Sequence, residues 1–243
     1  MSDLISQRSG RLSVGVIGGG PVGVVLAQAL AGAGHQLIGI SAVSAENIER
    51  IEAMLPNVEL LGVPEILAAA DLVLLAIPAN ELEPTINGFT EAGLWKAGQI
   101  AVHTAGEYGI EVFKTAARSG VIPLAIHPAM KFTGTSIDLA RLVDAHFAVS
   151  APKVALPIAQ ALVIEMGAEP VVIEDHQRAK YFEAYEVASS FSALIVNQAI
   201  GLLEEIEVPD ARAILGPVIR SAVEQALAEG HQPLAPEDLL GDQ

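Results

Sequence analysis

Three glycines near the amino terminus have the spacing of a phosphate-binding turn. The apolar residues 14–17 lead into Gly18-Gly19-Gly20-Pro21-Val22-Gly23, which reads G-x-G-x-x-G and is followed by an apolar helical segment. The first glycine allows the sharp turn, the second lets a pyrophosphate approach the backbone, and the third lets helix and strand pack closely. The amino end of the helix attracts the phosphate charge. The pattern predicts a dinucleotide site, while a glycine-rich turn that binds nothing is the alternative.

The end of the second predicted strand bears on which dinucleotide would bind. Where an acidic residue would hold the ribose 2′-hydroxyl of NAD, the sequence has Ser41, and no acid follows before Glu46. Ser41 and Ser44 could donate hydrogen bonds to a 2′-phosphate, which favours NADP. No arginine is adjacent, so NAD stays the alternative cofactor, and Ser41 as a plain turn residue is a further reading.

Loops that follow the later strands supply the other candidate contacts. In a doubly wound sheet, ligands bind beyond the carboxyl ends of the strands. Ile77 and Pro78 follow the fourth predicted strand, and Thr104, Ala105 and Gly106 follow the fifth. We expect both loops to pass near the nicotinamide and its ribose.

Hydride transfer also needs a proton donor near the cofactor. His127 is the first candidate, because it ends a predicted strand and histidine ordinarily titrates near neutrality. A histidine that only fixes the turn before Pro128 is the alternative. Lys131 could hold a substrate carboxylate or donate a proton, or it could be a solvated loop lysine. Tyr185 is a third candidate donor, with a tyrosine bonded to the backbone as its alternative.

A polar stripe runs along the long helical segment that begins near residue 177. In a regular helix its spacing places four side chains on one face, and we interpret them as substrate contacts: Glu183, Glu186, Ser190 and Asn197. A solvated or subunit-facing surface would give the same stripe. The histidines at 103, 127 and 146 lie on separate strands without ligand spacing, so no metal site is predicted.

The elements that position these residues alternate between strands and helices. Strands are predicted at 13–17, 36–40, 58–61, 72–77, 99–104, 124–126, 146–150 and 171–173. With helices between most of them, this order predicts an α/β fold with a Rossmann doubly wound, mainly parallel sheet. The pattern changes near Asp175, after which the sequence is helical. We predict a dinucleotide-binding domain over 1–175 and a small all-helical substrate and dimerisation domain over 176–243.

Composition excludes several classes of protein. The 243 residues include no cysteine, which rules out disulfides and thiolate chemistry. Thirteen basic and 29 acidic residues give a net charge of −16, and aromatic residues are 4% of the chain, so nucleic-acid binding is not expected. The short apolar runs and the lack of a secretory signal predict a cytoplasmic protein that does not enter the membrane.

Further segments resemble those of the Rossmann-like plus DUF2520 proteins. They are the loop from His103 to Gly106, the segment His127-Pro128-x-x-x-Phe132-x-Gly134, and residues 138–142. That family belongs to the 6-phosphogluconate dehydrogenase-like group, which includes pyrroline-5-carboxylate reductase and ketopantoate reductase. The resemblance covers nearly the whole chain. It implies an amino-terminal NAD(P)-binding domain and a helical carboxyl-terminal domain that often mediates dimerisation.

The chain departs from the family pattern on its long helix. Tyr181-Phe182 stands where members often have Tyr-His, and Ala188-Ser189-Ser190 stands where they often have Ala-Ser-Asn. We predict a homodimeric NAD(P)-dependent oxidoreductase that transfers a hydride to or from a small carbonyl or imine metabolite. The departures favour a second hypothesis, a dinucleotide-binding redox sensor without catalysis. A Rossmann scaffold that binds no nucleotide is the third.

Overall fold

The computed structural model describes residues 11–230. Its strands form one sheet in the order β2-β1-β3-β4-β5-β6-β7. All neighbouring strands are parallel except β5 and β6. The strands are β1 (Ser13–Ile17), β2 (Gln36–Ser41), β3 (Leu72–Leu75), β4 (Ile100–His103), β5 (Ile122–Pro128), β6 (His146–Ser150) and β7 (Glu169–Val172). The predicted α/β fold with a mainly parallel sheet is confirmed.

Helices cover both faces of this sheet. The connecting helices are α1 (Pro21–Gly32), α2 (Ala45–Met54), α3 (Val63–Ala69), α4 (Ala79–Glu91), α5 (Lys114–Ala117), α6 (Ser136–Arg141) and α7 (Leu156–Glu165). Alternate strand residues feed two separate apolar cores, because successive side chains of a strand point to opposite faces. On β3, Leu72 and Leu74 pack into one core, and Val73 and Leu75 into the other.

A carboxyl-terminal helical region follows, as predicted. It consists of α8 (Arg178–Glu186), a π-helical turn (Val187–Phe191), α9 (Ser192–Glu205) and α10 (Ala211–Glu229). The last part of the predicted helical domain, residues 231–243, lies outside the described residues. The chain divides into two compact units, one that runs to Tyr185 and one that begins at Glu186. The division therefore falls within the long helix, whereas the predicted boundary at 175/176 precedes it.

The first turn of α8 belongs to the sheet-containing unit because Arg178 anchors it there. The Arg178 side chain is buried, and its Nη2 donates to the carbonyl oxygens of Ala125 on β5 (2.9 Å) and Ala148 on β6 (3.1 Å). Its Nε donates to Ser150 Oγ at 2.8 Å, and that hydroxyl in turn donates to the Ile173 carbonyl. The guanidinium thus joins the helix to the antiparallel strand pair.

One predicted strand, at 58–61, is wrong. This segment forms a single parallel bridge between Leu60 and Ile40, supported by hydrogen bonds from Ile40 N to Glu59 O and from Leu61 N to Ile40 O. It lies beside the outermost strand β2, and Leu60 is 48% exposed. An edge segment that buries so little apolar surface gains too little stabilising free energy to extend into a strand.

The helix from Asp175 to Glu205 is long and apolar enough, by length and composition, to cross a membrane. None of its most apolar window is buried. A single helix of this kind does not by itself indicate a membrane span, because a helix that packs against another subunit has the same composition. The expectation that the chain stays out of the membrane remains a prediction.

The loop between β5 and α6 is held by a buried carboxylate. Asp138 Oδ2 accepts hydrogen bonds from the backbone N–H groups of Thr133 (2.7 Å) and Gly134 (2.8 Å). Gly134 has a φ of +75°, and its Cα packs so closely on Pro21 and Arg50 that an added Cβ would press against both. The loop therefore spans from His127 at the end of β5 to the start of α1.

Replacement of Asp138 by alanine is expected to destabilise the protein. Two backbone donors would lose their acceptor, which costs about 1–3 kcal/mol of unfolding free energy. The exposed Asp144, which lies in the 3-10 turn after α6, supplies a matched control. Urea denaturation should show a lowered midpoint for Asp138→Ala and an unchanged one for Asp144→Ala. Equal midpoints in the two variants would show that Asp138 does not hold the loop.

Candidate functional site

A groove of about 810 Å³ lies at the carboxyl ends of β1, β2 and β3. It is lined by residues 17–22, 41–44 and 76–78, together with Asn47, Val63, Glu81, Thr85 and Phe89. The lining includes these predicted cofactor contacts: Gly18, Gly19, Gly20, Pro21, Val22, Ser41, Ser44, Ile77 and Pro78. Because ligands of doubly wound sheets bind at this edge, the groove is the candidate nucleotide site.

The glycine turn has the geometry that a pyrophosphate requires. A Cβ atom at Gly23 would clash with the Gly18 carbonyl oxygen, and one at Gly18, whose φ is +113°, would clash with the Ala76 carbonyl oxygen. At Gly20, by contrast, nothing lies within 4 Å of an added Cβ. Gly20 caps α1, and Pro21 follows at its first position, so the amino end of the helix opens onto free space. The residues present therefore fit the phosphates of a dinucleotide.

The two predicted serine contacts lie at the far end of the same groove. Ser44 caps α2, and its Oγ accepts from Asn47 N at 3.2 Å, which leaves the hydroxyl hydrogen for another acceptor. Arg50, one turn further along α2, donates to Asn47 Oδ1 (2.5 Å) and to Glu46 Oε1 (2.6 Å). No arginine is adjacent to Ser41 in the sequence, and Arg50, which contacts the groove residue Asn47, is not itself among the residues that line the groove.

A cluster of four rings lies at the carboxyl end of β5. His127 Nδ1 is 2.8 Å from the hydroxyl oxygen of Tyr181. The His127 ring packs edge-on against three rings of α8, with centroid distances of 5.6 Å to Tyr181, 5.9 Å to Phe182 and 4.9 Å to Tyr185. We call these four residues the ring cluster. Phe182 is the residue that departs from the family's Tyr-His pair, whereas Tyr181 matches its tyrosine, and the contact of both with His127 was not predicted.

The loop after β4 lies against the ring cluster. A Cβ at Gly106 would clash with the Phe182 ring and would lie 2.9 Å from His127 Nε2. Thr104 N donates to the Leu75 carbonyl at 3.3 Å, so the loop leaves the sheet beside the end of β3. Thr104, Ala105 and Gly106 are not among the residues that line the groove. In the sheet order β4 lies between β3 and β5, so the loop after β4 separates the groove from the ring cluster at the same edge of the sheet.

Burial keeps His127 uncharged. It lowers the pKa of His127 to about 4, and the positive charge of Arg178 acts in the same direction. The expectation that His127 titrates near neutrality is therefore wrong, because the ring cluster removes the imidazole from water. Burial also raises the pKa of Tyr181, against the opposing effect of Arg178. At neutral pH the pair consists of a neutral imidazole and a neutral phenol.

The other two candidate donors lie beside the same cluster. Lys131 is exposed, and its Nζ is 5.4 Å from the centroid of the Tyr185 ring. The Tyr185 hydroxyl donates to the Met130 carbonyl oxygen at 3.2 Å. This is the tyrosine bonded to the backbone that was the alternative to a proton donor. Lys131 thus presents a positive charge at the solvent side of the cluster, where an anionic group could meet it.

The four predicted substrate contacts do not share one regular helical face. The π turn at Val187–Phe191 changes the phase of the helix between Glu183 and Asn197, so the assumed spacing fails. Glu183 is exposed and pairs with Lys180 at 2.7 Å, and Ser190 donates to Glu186 Oε2 at 2.9 Å. Their contact with a substrate stays a prediction. Among the described residues, no group of three or more histidines and acids is placed to hold a metal ion.

The family of the chain follows from two matches. A model of the Rossmann-like domain matches residues 2–128, just over half of the chain, and a model of the DUF2520 domain of unknown function matches residues 145–235. The chain belongs to the proteins that join a Rossmann-like domain to a DUF2520 domain. No protein of curated function matches it in sequence.

Solved structures with the same fold include two reductases and an NAD-binding protein. An imine reductase from Streptomyces aurantiacus has a TM-score of 0.67 and 21% identity, over 87% of this chain and 73% of that chain. The Plasmodium falciparum pyrroline carboxylate reductase with NADP bound has a TM-score of 0.65 and 12% identity, over 95% of this chain and 87% of that chain. A semialdehyde dehydrogenase NAD-binding protein from Cupriavidus necator, in complex with calcium and NAD, has a TM-score of 0.66 and 16% identity, over 93% of this chain and 87% of that chain. At these identities the likeness shows the fold, and two of these structures contain a bound dinucleotide, NADP in one and NAD in the other.

The buried histidines should make stability depend on pH below 6.5. Burial lowers the pKa of His103, like that of His127, to about 4, so the unfolded chain takes up protons at a pH where the folded chain does not. Above pH 6.5 the free energy of unfolding does not depend on these histidines. It decreases as the pH falls from 6.5 towards 4, by on the order of 3 kcal/mol for each histidine, at about 1.4 kcal/mol per pKa unit.

Denaturant unfolding at a series of pH values checks this expectation. His127→Gln should flatten the loss of unfolding free energy between pH 6.5 and 4, because glutamine does not titrate. The exposed His176 supplies the control, and His176→Gln should leave the slope unchanged. If all three proteins lose stability in parallel, the buried histidines are not the cause.

Proposed function

We propose that the chain is an NAD(P)-dependent oxidoreductase of the cytoplasm that acts on a small carbonyl or imine metabolite. The observation that carries the proposal is the glycine turn, which opens at Gly20 onto the groove beside the ring cluster. The fold similarity to an imine reductase and to an NADP-bound reductase supports it. When bound, the nicotinamide supplies or accepts the hydride, and the chain provides position, exclusion of water and a proton.

Each part of the chain has a task in this proposal. The turn from Gly18 to Val22 and the amino end of α1 hold the pyrophosphate, and Ser41 and Ser44 contact the ribose 2′ position, where we favour NADP over NAD. The ring cluster keeps water from the reacting atoms, and His127 faces them as the proton donor. Lys131, exposed at the edge of the cluster, attracts a carboxylate on the substrate.

A redox sensor that binds the dinucleotide without catalysis is the second candidate. Phe182 favours the redox sensor, because family members often carry a polar side chain at this position. Here an apolar ring packs against Gly106 instead. A sensor would bind the reduced or oxidised cofactor tightly and turn over no carbonyl or imine compound. An oxidoreductase would bind the cofactor and also show turnover that depends on His127.

Titration with NADPH and NADH tests the nucleotide site. We expect one of these cofactors to bind with a micromolar Kd, measured by the change in nicotinamide fluorescence. Gly20→Val should weaken it by about tenfold or more, because its side chain would extend into the space left for the phosphates. Gly32→Val is the control: nothing lies within 4 Å of an added Cβ at this glycine either, but it is at the other end of α1.

Unchanged binding by Gly20→Val, with unchanged thermal unfolding, would contradict the assignment of the groove. Absence of binding to the wild-type chain at millimolar cofactor would contradict the proposed function itself. The preferred cofactor would also settle the role of Ser41 and Ser44.

We also propose that two chains associate through the helical region. Of the described residues in the second unit, Ala211 alone is buried. Many large apolar side chains there are more than half exposed, among them Phe191, Leu194, Ile195, Leu202, Ile206, Val218 and Leu227. So much exposed apolar surface is typical of a subunit interface, and a second copy would remove it from water.

Sedimentation velocity tests this association. The wild-type chain should sediment as a dimer, and the double variant Leu194→Glu/Leu202→Glu should sediment as a monomer, because buried carboxylates are costly at an apolar interface. Glu205→Gln, at an exposed position of the same helix, is the control and should remain dimeric. A monomeric wild-type chain, or one that partitions into lipid vesicles, would contradict the proposal.

A further inference from the structure

We propose that His127 and Tyr181 form a proton relay. In this relay Tyr181 gives a proton to His127 as His127 donates its own, and the positive charge of Arg178 stabilises the negative charge left on Tyr181. This inference rests on the proposed function, since it assigns the source of the proton in the reduction. In it His127 touches the substrate, while Tyr181 and Arg178 act through His127.

The two nitrogens of His127 face different surroundings. Nδ1 meets the Tyr181 hydroxyl at 2.8 Å. Nε2, on the opposite side of the ring, faces the loop after β4, where a Cβ at Gly106 would come within 2.9 Å of it. Nε2 makes no hydrogen bond to any of the residues that the structure describes. One nitrogen therefore has a built-in partner, and the other is available to a reacting molecule.

This geometry assigns the hydrogens of the pair. A neutral imidazole has one N–H, and the partner of the other nitrogen sets its position. If Tyr181 donates its O–H to Nδ1, the ring hydrogen lies on Nε2 and points to the loop after β4. Burial supports the neutral ring, because it lowers the pKa of His127 to about 4. His127 then acts as a donor without first becoming an imidazolium.

Arg178 supplies a buried positive charge that has no salt-bridge partner among the described residues, although the negative charge of Asp175 acts on it from a distance. Its side chain is 1% exposed, and the ion pairs among the described residues do not include it. Its Nη1 is buried without a hydrogen-bond partner in the described part of the chain. Its Cζ lies 6.0 Å from the centroid of the Tyr181 ring, and its charge lowers the pKa of that phenol against the effect of burial. A buried cation without a salt-bridge partner stabilises a negative charge that forms nearby.

The proton balance of the relay closes within the pair and solvent. As the carbonyl oxygen or imine nitrogen of the substrate gains negative charge, it takes the proton from Nε2. Nδ1 takes the proton of Tyr181, so the ring stays neutral and Tyr181 becomes a phenolate beside Arg178. After the product leaves, the proton returns from Nδ1 to the phenolate, and Nε2 takes one proton from water.

Other titratable groups surround the pair from three elements. Tyr185 and Arg178 face it from α8, His103 from β4, and Lys131 lies at the solvent side on the loop after β5. The pKa of His103 is about 4, so at neutral pH the positive charges near His127 are those of Arg178 and Lys131. The Tyr181 hydroxyl is hydrogen-bonded to His127 Nδ1 at 2.8 Å, so His127 receives the proton that Tyr181 gives up.

Nitrogen-15 NMR of the full chain labelled at histidine tests the relay without any ligand. The His127 signal, identified by its loss in His127→Gln, should show a neutral ring with its hydrogen on Nε2 at pH 7. Tyr181→Phe removes the donor and keeps the ring, so it should shift the Nδ1 resonance and mix the two tautomers. Tyr108→Phe, at a more exposed tyrosine, is the control and should leave the signal unchanged. A hydrogen on Nδ1 in the wild-type chain would overturn the proposal.

Turnover supplies a second readout, with NADPH and 1-pyrroline-5-carboxylate as the imine probe. Tyr181→Phe should lower kcat by about 10- to 100-fold, within the range of general acid catalysis, and leave the Kd of NADPH unchanged. A kcat equal to that of the wild type would overturn the relay. A wild-type chain that binds no cofactor contradicts the proposed function instead, and the NMR result then still decides the hydrogen positions of the pair.

Discussion

Both parts of the candidate site depend on close backbone approach at the carboxyl edge of the sheet. Gly23 packs on the carbonyl of Gly18, and Gly18 packs on that of Ala76, so the turn after β1 lies flat against β3 and leaves its open side at Gly20. Gly106 brings the loop after β4 against the ring of His127 in the same way. A side chain at any of these contacts would separate elements that the site needs together, and neighbouring parallel strands then bring the groove and the ring cluster side by side.

The buried guanidinium of Arg178 has a structural and an electrostatic effect at once. Arginine presents several donors in a planar fork, so a single side chain can bond carbonyls of both antiparallel strands and also Ser150. This fixes the first turn of α8 and places Tyr181, one turn later, at His127. The same charge disfavours protonation of His127 and favours ionisation of Tyr181. Helix position and proton chemistry are therefore coupled through one residue.

The sequence predicted the elements whose signal is local. β1 and β6 have the predicted bounds, because a short apolar run between turn residues marks each of them within a few residues. The glycine turn was predictable because its three spacings carry three separate steric requirements. The contact of His127 with Tyr181 joins residues far apart in sequence, and the pKa of His127 follows from that burial, so neither has a local signal. The π turn at Val187–Phe191 and the loss of the strand at 58–61 depend in the same way on packing that no short window shows.

The proposed function requires that one dinucleotide occupies the groove with its reactive end towards His127. A crystal structure of the chain grown with NADP⁺ is the decisive test of this requirement. We expect the pyrophosphate on the backbone amides that follow Gly18, the ribose 2′ group near Ser41 and Ser44, and the nicotinamide ring beside the loop after β4, on the Nε2 side of His127. A nucleotide bound elsewhere, or a nicotinamide ring turned away from His127, would show that the site is wrongly assigned.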